Sequence, residues 1–351
     1  VFLLPLNRGI NRLCNLSDKC APSRDICGRD FVTITYLLHL VECQQPQSLL
    51  KMFLSVTPCV IFLYVNGVML FTLSKKTVFQ EMPRYMLFGH MLWVDTLNLF
   101  MTVVLYICAF GSISIMKNLC LFLLISTTAL LHVSVLNLSL MSLERYVAIC
   151  FPLRHAEITT SERTKMAIGV VWMIGLIQPL SDMIIFYAID STSAVMNLFC
   201  SRTTLFRLQI YKKLEISITC IFFVSVCFVI IFTYASIAAV AKTASSDKAS
   251  AKKANKTVLL HLLQLVLGLI SLLLEAIFEA FYVRVDINTL ANLMYFFFVV
   301  FIIFPRCLSP LVYGLRDQAF GWSFKYYFTL GFIRQNRCKT EIHLVAGGCK
   351  I

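Results

Sequence analysis

The chain has 351 residues, of which 59% are hydrophobic and only 14% charged. So little polar material cannot cover a soluble domain of this size, so the composition excludes a soluble globular protein and assigns the chain to a bilayer, where 29 Phe and 13 Tyr suit lipid-facing surfaces and interfacial belts. The net charge of +13, from 31 Lys and Arg against 18 Asp and Glu, does not mark a nucleic-acid binder, because the basic residues lie in short loops between apolar runs.

Residues 1–48 differ in character from the rest of the chain. They hold Cys14, Cys20, Cys27 and Cys43, whose pairing the sequence leaves open, and the apolar stretch 31–41 is too short to span a membrane. Val1 to Leu6 lacks the basic lead and apolar run of a signal peptide, so this segment reads as extracellular and, without an initiator Met, as truncated or aberrant. Seven apolar stretches come next, at 51–73, 85–108, 120–149, 166–188, 214–240, 257–282 and 291–313. Each is long enough to cross a bilayer, and since an unsatisfied peptide group in lipid costs several kcal/mol, each is predicted to be a helix. The expected fold is an all-α membrane protein, a seven-transmembrane helix bundle over 49–313. The tail 314–351 carries Phe320, Trp322, Phe324, Tyr326, Tyr327 and Phe328, the pattern of a short amphipathic helix on membrane lipid, and Cys338 is a candidate for acylation.

Loop charges set the orientation. Lys75, Lys76 and Arg84 follow the first span, Arg154, Arg163 and Lys165 the third, and Lys242, Lys248, Lys252, Lys253 and Lys256 the fifth. The alternate loops are poorer, so the positive-inside rule places the N-terminus outside, Arg145 in the cytosol and the C-terminal tail inside. Of three glycosylation sequons, at Asn15, Asn137 and Asn255, only Asn15 is then luminal and outside a span.

Polar groups inside the spans are the candidate functional residues, because a charge in a membrane is costly unless used or paired. Asn66 lies in the first span and Asp95 in the middle of the second. The third opens at Cys120, carries Thr127, Thr128, Leu131 and His132 two to three turns later, and closes on Glu144-Arg145-Tyr146. About 25 residues of helix cover roughly 37 Å, enough to join the two faces of a hydrocarbon core of about 30 Å. Glu275 falls in the outer half of the sixth span, with Glu279 one turn further out. In the seventh, Pro310, next to Ser309 and one turn before Tyr313, removes a backbone hydrogen bond. Each has a plainer reading: Glu144 beside Arg145 as an interfacial pair snorkelling to water, Asp95 as a neutral packing group, Glu275 as an interfacial acid, and the third-span group as packing positions.

Taken in order, Asn66-Gly67, Asp95, Cys120, the run Met141 to Cys150 through Glu144-Arg145-Tyr146, Trp172, Pro179 and Ser309-Pro310-Leu311-Val312-Tyr313 resemble rhodopsin-like, or class A, G-protein-coupled receptors. Phe151-Pro152-Leu153-Arg154-His155, Leu260-His261-Leu262-Leu263-Gln264-Leu265 and Tyr313-Gly314-Leu315-Arg316-Asp317-Gln318 are similar to odorant receptors of the teleost type. The match covers about residues 48–330.

The resemblance implies an odorant receptor of the plasma membrane that binds a small molecule in the outer half of the bundle and activates a heterotrimeric G protein, of the cyclic AMP-raising olfactory type, on the cytosolic side. It implies that Glu144, Arg145 and Tyr146 couple to that protein, and that Asn66, Asp95, Ser309, Pro310 and Tyr313 form an activation network. Such a network sometimes holds sodium, but Ser309 stands where the broader class has Asn, so the network is implied more strongly than the ion. Topology and resemblance together pair Cys120 with Cys200 in a disulfide. The candidate ligand-binding residues are Thr127, Thr128, Leu131, His132 and Glu275. The sixth span lacks the Cys-Trp-x-Pro motif of many relatives, leaving Gly268 as its flexible point.

No catalytic residue, metal cluster or cofactor loop emerges, so the chain is expected to be no enzyme and to carry neither metal nor cofactor. A non-olfactory chemosensory receptor is the alternative within the class. A secondary transporter, with Asp95, Arg306 and Glu275 lining a path, is disfavoured by the odd span count and by the absence of an inverted repeat.

Overall fold

A computed structural model describes residues 45–75, 79, 81–111, 113–189, 197–206, 208–243, 262–274 and 287–308. Asn15, Glu275, Glu279, Ser309, Pro310, Tyr313, the basic loop 244–261 and the tail 314–351 lie outside the described residues.

Five helices are long and apolar enough to cross a membrane: Lys51–Ser74, Pro83–Ala109, Lys117–Cys150, Ser161–Ile189 and Gln209–Val240. Shorter apolar helices at Leu262–Leu274 and Asn292–Leu308 are the described parts of the sixth and seventh. The sequence dictates where several of these begin and break. Pro83 opens the second helix, where its missing N–H would have no partner anyway. Thr160 caps the fourth, its side chain accepting from the Arg163 backbone N–H at 3.3 Å. That fourth span, expected as one helix, is two: Ser161–Gly175 and Ile177–Ile189. Pro179 lacks an N–H and its ring crowds the carbonyl four residues back, that of Gly175, which is where the first segment stops. Gly175 is also a point of close approach, since a Cβ there would lie 2.7 Å from Val133 Cγ2 on the third helix.

The third helix, Lys117–Cys150, is the axis of the molecule. Cys120, Val133, Asn137 and Ser142 along it are all buried. By contrast the fifth, Gln209–Thr243, turns Ile221, Phe228 and Ile231 outward, each about 70% exposed, as a lipid-facing surface requires. The first and seventh helices meet where Lys51 Nζ donates to Asn292 Oδ1 at 2.7 Å and Tyr295 Oη donates to the Lys51 carbonyl at 3.3 Å. A hydrogen-bonded relay fastens helices two, three and four: Trp172 Nε1 donates to His90 Nε2 at 2.9 Å, His90 Nδ1 lies 3.0 Å from Asn137 Oδ1, and Asn137 Nδ2 donates to the Leu87 carbonyl at 3.1 Å. Because His90 Nε2 accepts, its Nδ1 carries the proton. Asn137 is thus a buried structural amide.

Two features depart from an all-α bundle of regular helices. Strands β1, Ser114–Met116, and β2, Asn197–Phe199, pair antiparallel with Ile115 opposite Leu198. The seventh helix widens into a π segment at Phe298–Ile303 just before Pro305, whose absent N–H and bulky ring disturb the preceding turn.

Candidate functional site

At one end of the third helix, Cys120 is bonded to Cys200, with Cα atoms 5.4 Å apart. The bond draws the chain before Cys200 against the chain before Cys120, which is why β1 and β2 meet there. Immediately after it, Ser201 and Thr204 form a reciprocal cap, the Ser201 N–H donating to Thr204 Oγ1 and the Thr204 N–H to Ser201 Oγ, both at 3.2 Å. Arg202, held in this turn, reaches two carboxylates: Nη2 lies 3.2 Å from Asp182 Oδ2 on the fourth span and 3.0 Å from Glu215 Oε2 on the fifth. Its Nη1 lies 3.5 Å from Thr128 Oγ1 on the third, and its guanidinium covers the Phe206 ring at 5.2 Å. Asp182 is almost completely buried and Arg202 nearly so. Opposite charges removed from water in this way are tolerated because they satisfy one another.

Among the described residues, Thr127, Thr128, Leu131 and His132 have different surroundings. Thr127 turns its hydroxyl onto its own helix, donating to the Leu123 and Leu124 carbonyls at 3.0 and 2.9 Å. Thr128 faces the Arg202 cluster, His132 is buried with its ring 4.9 Å from that of Phe222, and Leu131 lines a separate cavity deeper in the bundle.

That deeper cavity lies at Asp95. Its carboxylate accepts from Ser134 Oγ at 2.8 Å, and Gln264, Gly268 and Arg306 line the same space from the sixth and seventh helices. Gln264 Nε2 donates to the Pro305 carbonyl at 3.4 Å, tying the sixth helix to the seventh beside the π segment. Gly268 presents its α-carbon to Val135, where a Cβ would stand at 3.4 Å from Val135 Cγ2. Asn66 is fully buried, and its amide makes no hydrogen bond among the described residues.

At the far end of the third helix, Glu144 Oε2 lies 3.5 Å from Arg145 Nε and Glu144 Oε1 lies 3.5 Å from His155 Nε2. Tyr146 sits edge-on to Phe151 and to Phe232, with ring centroids 5.8 and 5.3 Å away. Adjacent residues on a helix do not face one another, so the Glu144–Arg145 contact depends on the length of the arginine side chain. His155, Asp182, Arg202, Glu215, Ser134 and Asn98 were not singled out by sequence as site residues. An acid within an apolar run was a readable signal at Asp182, but its partners lie on other elements.

No group of three or more His, Cys, Asp or Glu side chains able to hold a metal occurs among the described residues.

The family described as "7 transmembrane receptor (rhodopsin family)" matches residues 65–313. Odorant receptor 131-2 of Danio rerio is 37% identical over 274 residues, which is 77% of this chain and 83% of that protein. Growth hormone secretagogue receptor type 1 of Homo sapiens and of Rattus norvegicus are each 44% identical over 43 residues, 12% of either chain. With apolar helices, a third helix running from a disulfide to a Glu-Arg-Tyr terminus, and a match across most of its length, the chain belongs to the rhodopsin family of seven-transmembrane receptors, on its olfactory side, and is a multi-pass membrane receptor rather than an enzyme.

Proposed function

We propose that the chain is an odorant receptor of the plasma membrane, taking up a small molecule at the Cys120 end of the bundle and activating a heterotrimeric G protein at the Glu144 end. The observation that carries this reading is the third helix. It holds a disulfide-bound loop at one terminus and the Glu144–Arg145 pair at the other, so that displacing helices packed on one end alters the surface offered at the other. The basic loops around Arg145 support placing that end in the cytosol, with the N-terminal segment and its Asn15 sequon outside and the tail 314–351 lying along the inner leaflet. The zebrafish relative, named an odorant receptor, supports the ligand class.

Thr128 and His132, with Thr127, Leu131 and Glu275, are the proposed ligand contacts. Asn66, Asp95, Ser309, Pro310 and Tyr313 are the proposed switch between the ends, and the cyclic AMP-raising olfactory G protein is the proposed partner. Binding favours a state in which the sixth helix moves away from the third near Arg145, opening a cleft for the G protein. The test is Arg145→Ala in cells with a cyclic AMP readout and an odorant screen. Surface expression and ligand binding should persist while agonist-driven signalling is lost; full signalling by a well-expressed Arg145→Ala receptor overturns the coupling assignment.

A further inference from the structure

Asp95 and Arg306 bury opposite charges at the centre of the bundle, with residue exposures of 1% and 6%. They come from the second and seventh helices and line one cavity of about 20 Å³, room for about one water molecule. Ser134 Oγ donates to the carboxylate. The guanidinium is anchored on its own helix, Nη1 donating to the Ile302 carbonyl within the π segment. With the Asn98 amide oriented to satisfy both neighbours, its oxygen accepts from Arg306 Nη2 at 3.1 Å and its nitrogen donates to Thr102 Oγ1 at 3.3 Å. The two charges face the same space, so each lies in the field of the other.

A carboxylate this deep requires a positive partner, and a diffusible ion is one way to provide it. Here the chain brings its own. A free cation added to the cavity would stand beside a fixed guanidinium in a low-dielectric interior, where like charges repel strongly. We propose that Arg306 is the resident counter-cation of Asp95, so that the centre of this receptor excludes free monovalent metal ions and becomes a sodium site only when the guanidinium is removed. The cation is then part of the seventh helix. Any displacement of the segment around Phe298–Ile303 carries the charge with it, so the pair can part only if the second and seventh helices separate.

The test uses full-length receptor purified in lipid nanodiscs, with its melting temperature followed as NaCl replaces choline chloride at constant ionic strength. The native receptor should melt at the same temperature in either salt. Arg306→Gln, which keeps a long polar side chain and leaves the carboxylate without its cation, should gain a sodium-dependent rise of about 2 °C at a tenfold excess over the dissociation constant. The double variant Asp95→Asn, Arg306→Gln should lose that rise, identifying the carboxylate as the ligand. A sodium-dependent rise in the native receptor overturns the proposal, as does a folded Arg306→Gln receptor indifferent to sodium. If Arg306→Gln yields no folded protein, adding Asp95→Asn should restore folding by removing the stranded carboxylate; failure to do so overturns the pairing.

Discussion

At the Cys120 end of the third helix, a covalent bond, a strand pair, a reciprocal cap and a three-residue ion cluster act on one short length of chain, from Asn197 to Leu205. At the Glu144 end, the corresponding work falls to an ion pair and a histidine contact, both at 3.5 Å, and two edge-on aromatic pairs, with the Arg145 and His155 side chains about a quarter to a third exposed. The disulfide and the Asp182–Arg202 pair are buried, and the members of the set reinforce one another, so losing one leaves others unpaired. In the second, Glu144 is buried but its partners are a quarter to a third exposed and stand at 3.5 Å, so each contact is weak and can be given up. The ligand and partner sites proposed above would make use of this asymmetry, because motion is drawn from the least stable regions of a fold.

The sharpest way to break the comparison is to remove the staple. Cys200→Ser frees a loop that spans 80 residues of sequence from Cys120, and a bridge closing a loop of that size stabilises by about 4 kcal/mol. Little receptor should reach the cell surface, as counted by surface labelling. Cys220→Ser, at an exposed and unbonded cysteine, should express normally. Equal surface levels for the two variants would show that the disulfide does not govern that end.

Next in size is the ion cluster. Arg202→Met preserves the length of the side chain but leaves the Asp182 carboxylate buried without the guanidinium, and breaking such a pair costs about 3–5 kcal/mol. The melting temperature of the purified receptor should fall by about 4–7 °C. Replacing both acids as well, with Asp182→Asn and Glu215→Gln, should recover much of the loss, because a neutral cluster has no stranded charge. A single variant as stable as the native chain would reduce the cluster to an incidental contact.

How far these two ends were legible before the structure differs for a physical reason. The long helices follow from runs of apolar residues whose length alone decides between bilayer and core, so their existence was secure and their ends shifted by only a few residues, as at Pro83 and Cys150. The Cys120–Cys200 bond was readable from topology together with resemblance. The strands β1 and β2 were not, since three residues each carry no periodicity and pair only because the disulfide brings them together. Nor was the Arg202 cluster, whose members sit on three elements: their meeting depends on helix rotation, which a sequence leaves open. Thr127 illustrates the same limit, because a threonine in a helix can face a pocket or bond back to its own backbone, and here it does the latter. Pro305 was a missed signal of another kind. A proline inside an apolar run announces a disturbed turn, and the π segment before it is that disturbance.

The smallest expected effect, and the one that most sharpens the contrast, is at His155. Its Nε2 approaches Glu144 Oε1 while Arg145 approaches Oε2, so the two side chains hold different oxygens of one carboxylate and orient it jointly. His155→Phe keeps a ring of similar shape and removes the nitrogen. At 3.5 Å, with the His155 side chain 32% exposed, the contact is worth under about 1 kcal/mol, and the melting temperature should move by no more than about 2 °C. On the hypothesis that the Glu144 contact restrains Arg145 in the resting state, a freely turning carboxylate restrains it less well and basal signalling should rise by a factor of about 2–3. The same substitution made on Glu144→Gln should then have no further effect, since the charge through which His155 acts is gone. A rise of equal size in both backgrounds would place the action of His155 elsewhere. A melting-temperature loss as large as that of Arg202→Met would mean that this end is as firmly built as the other, and the asymmetry between them would fall.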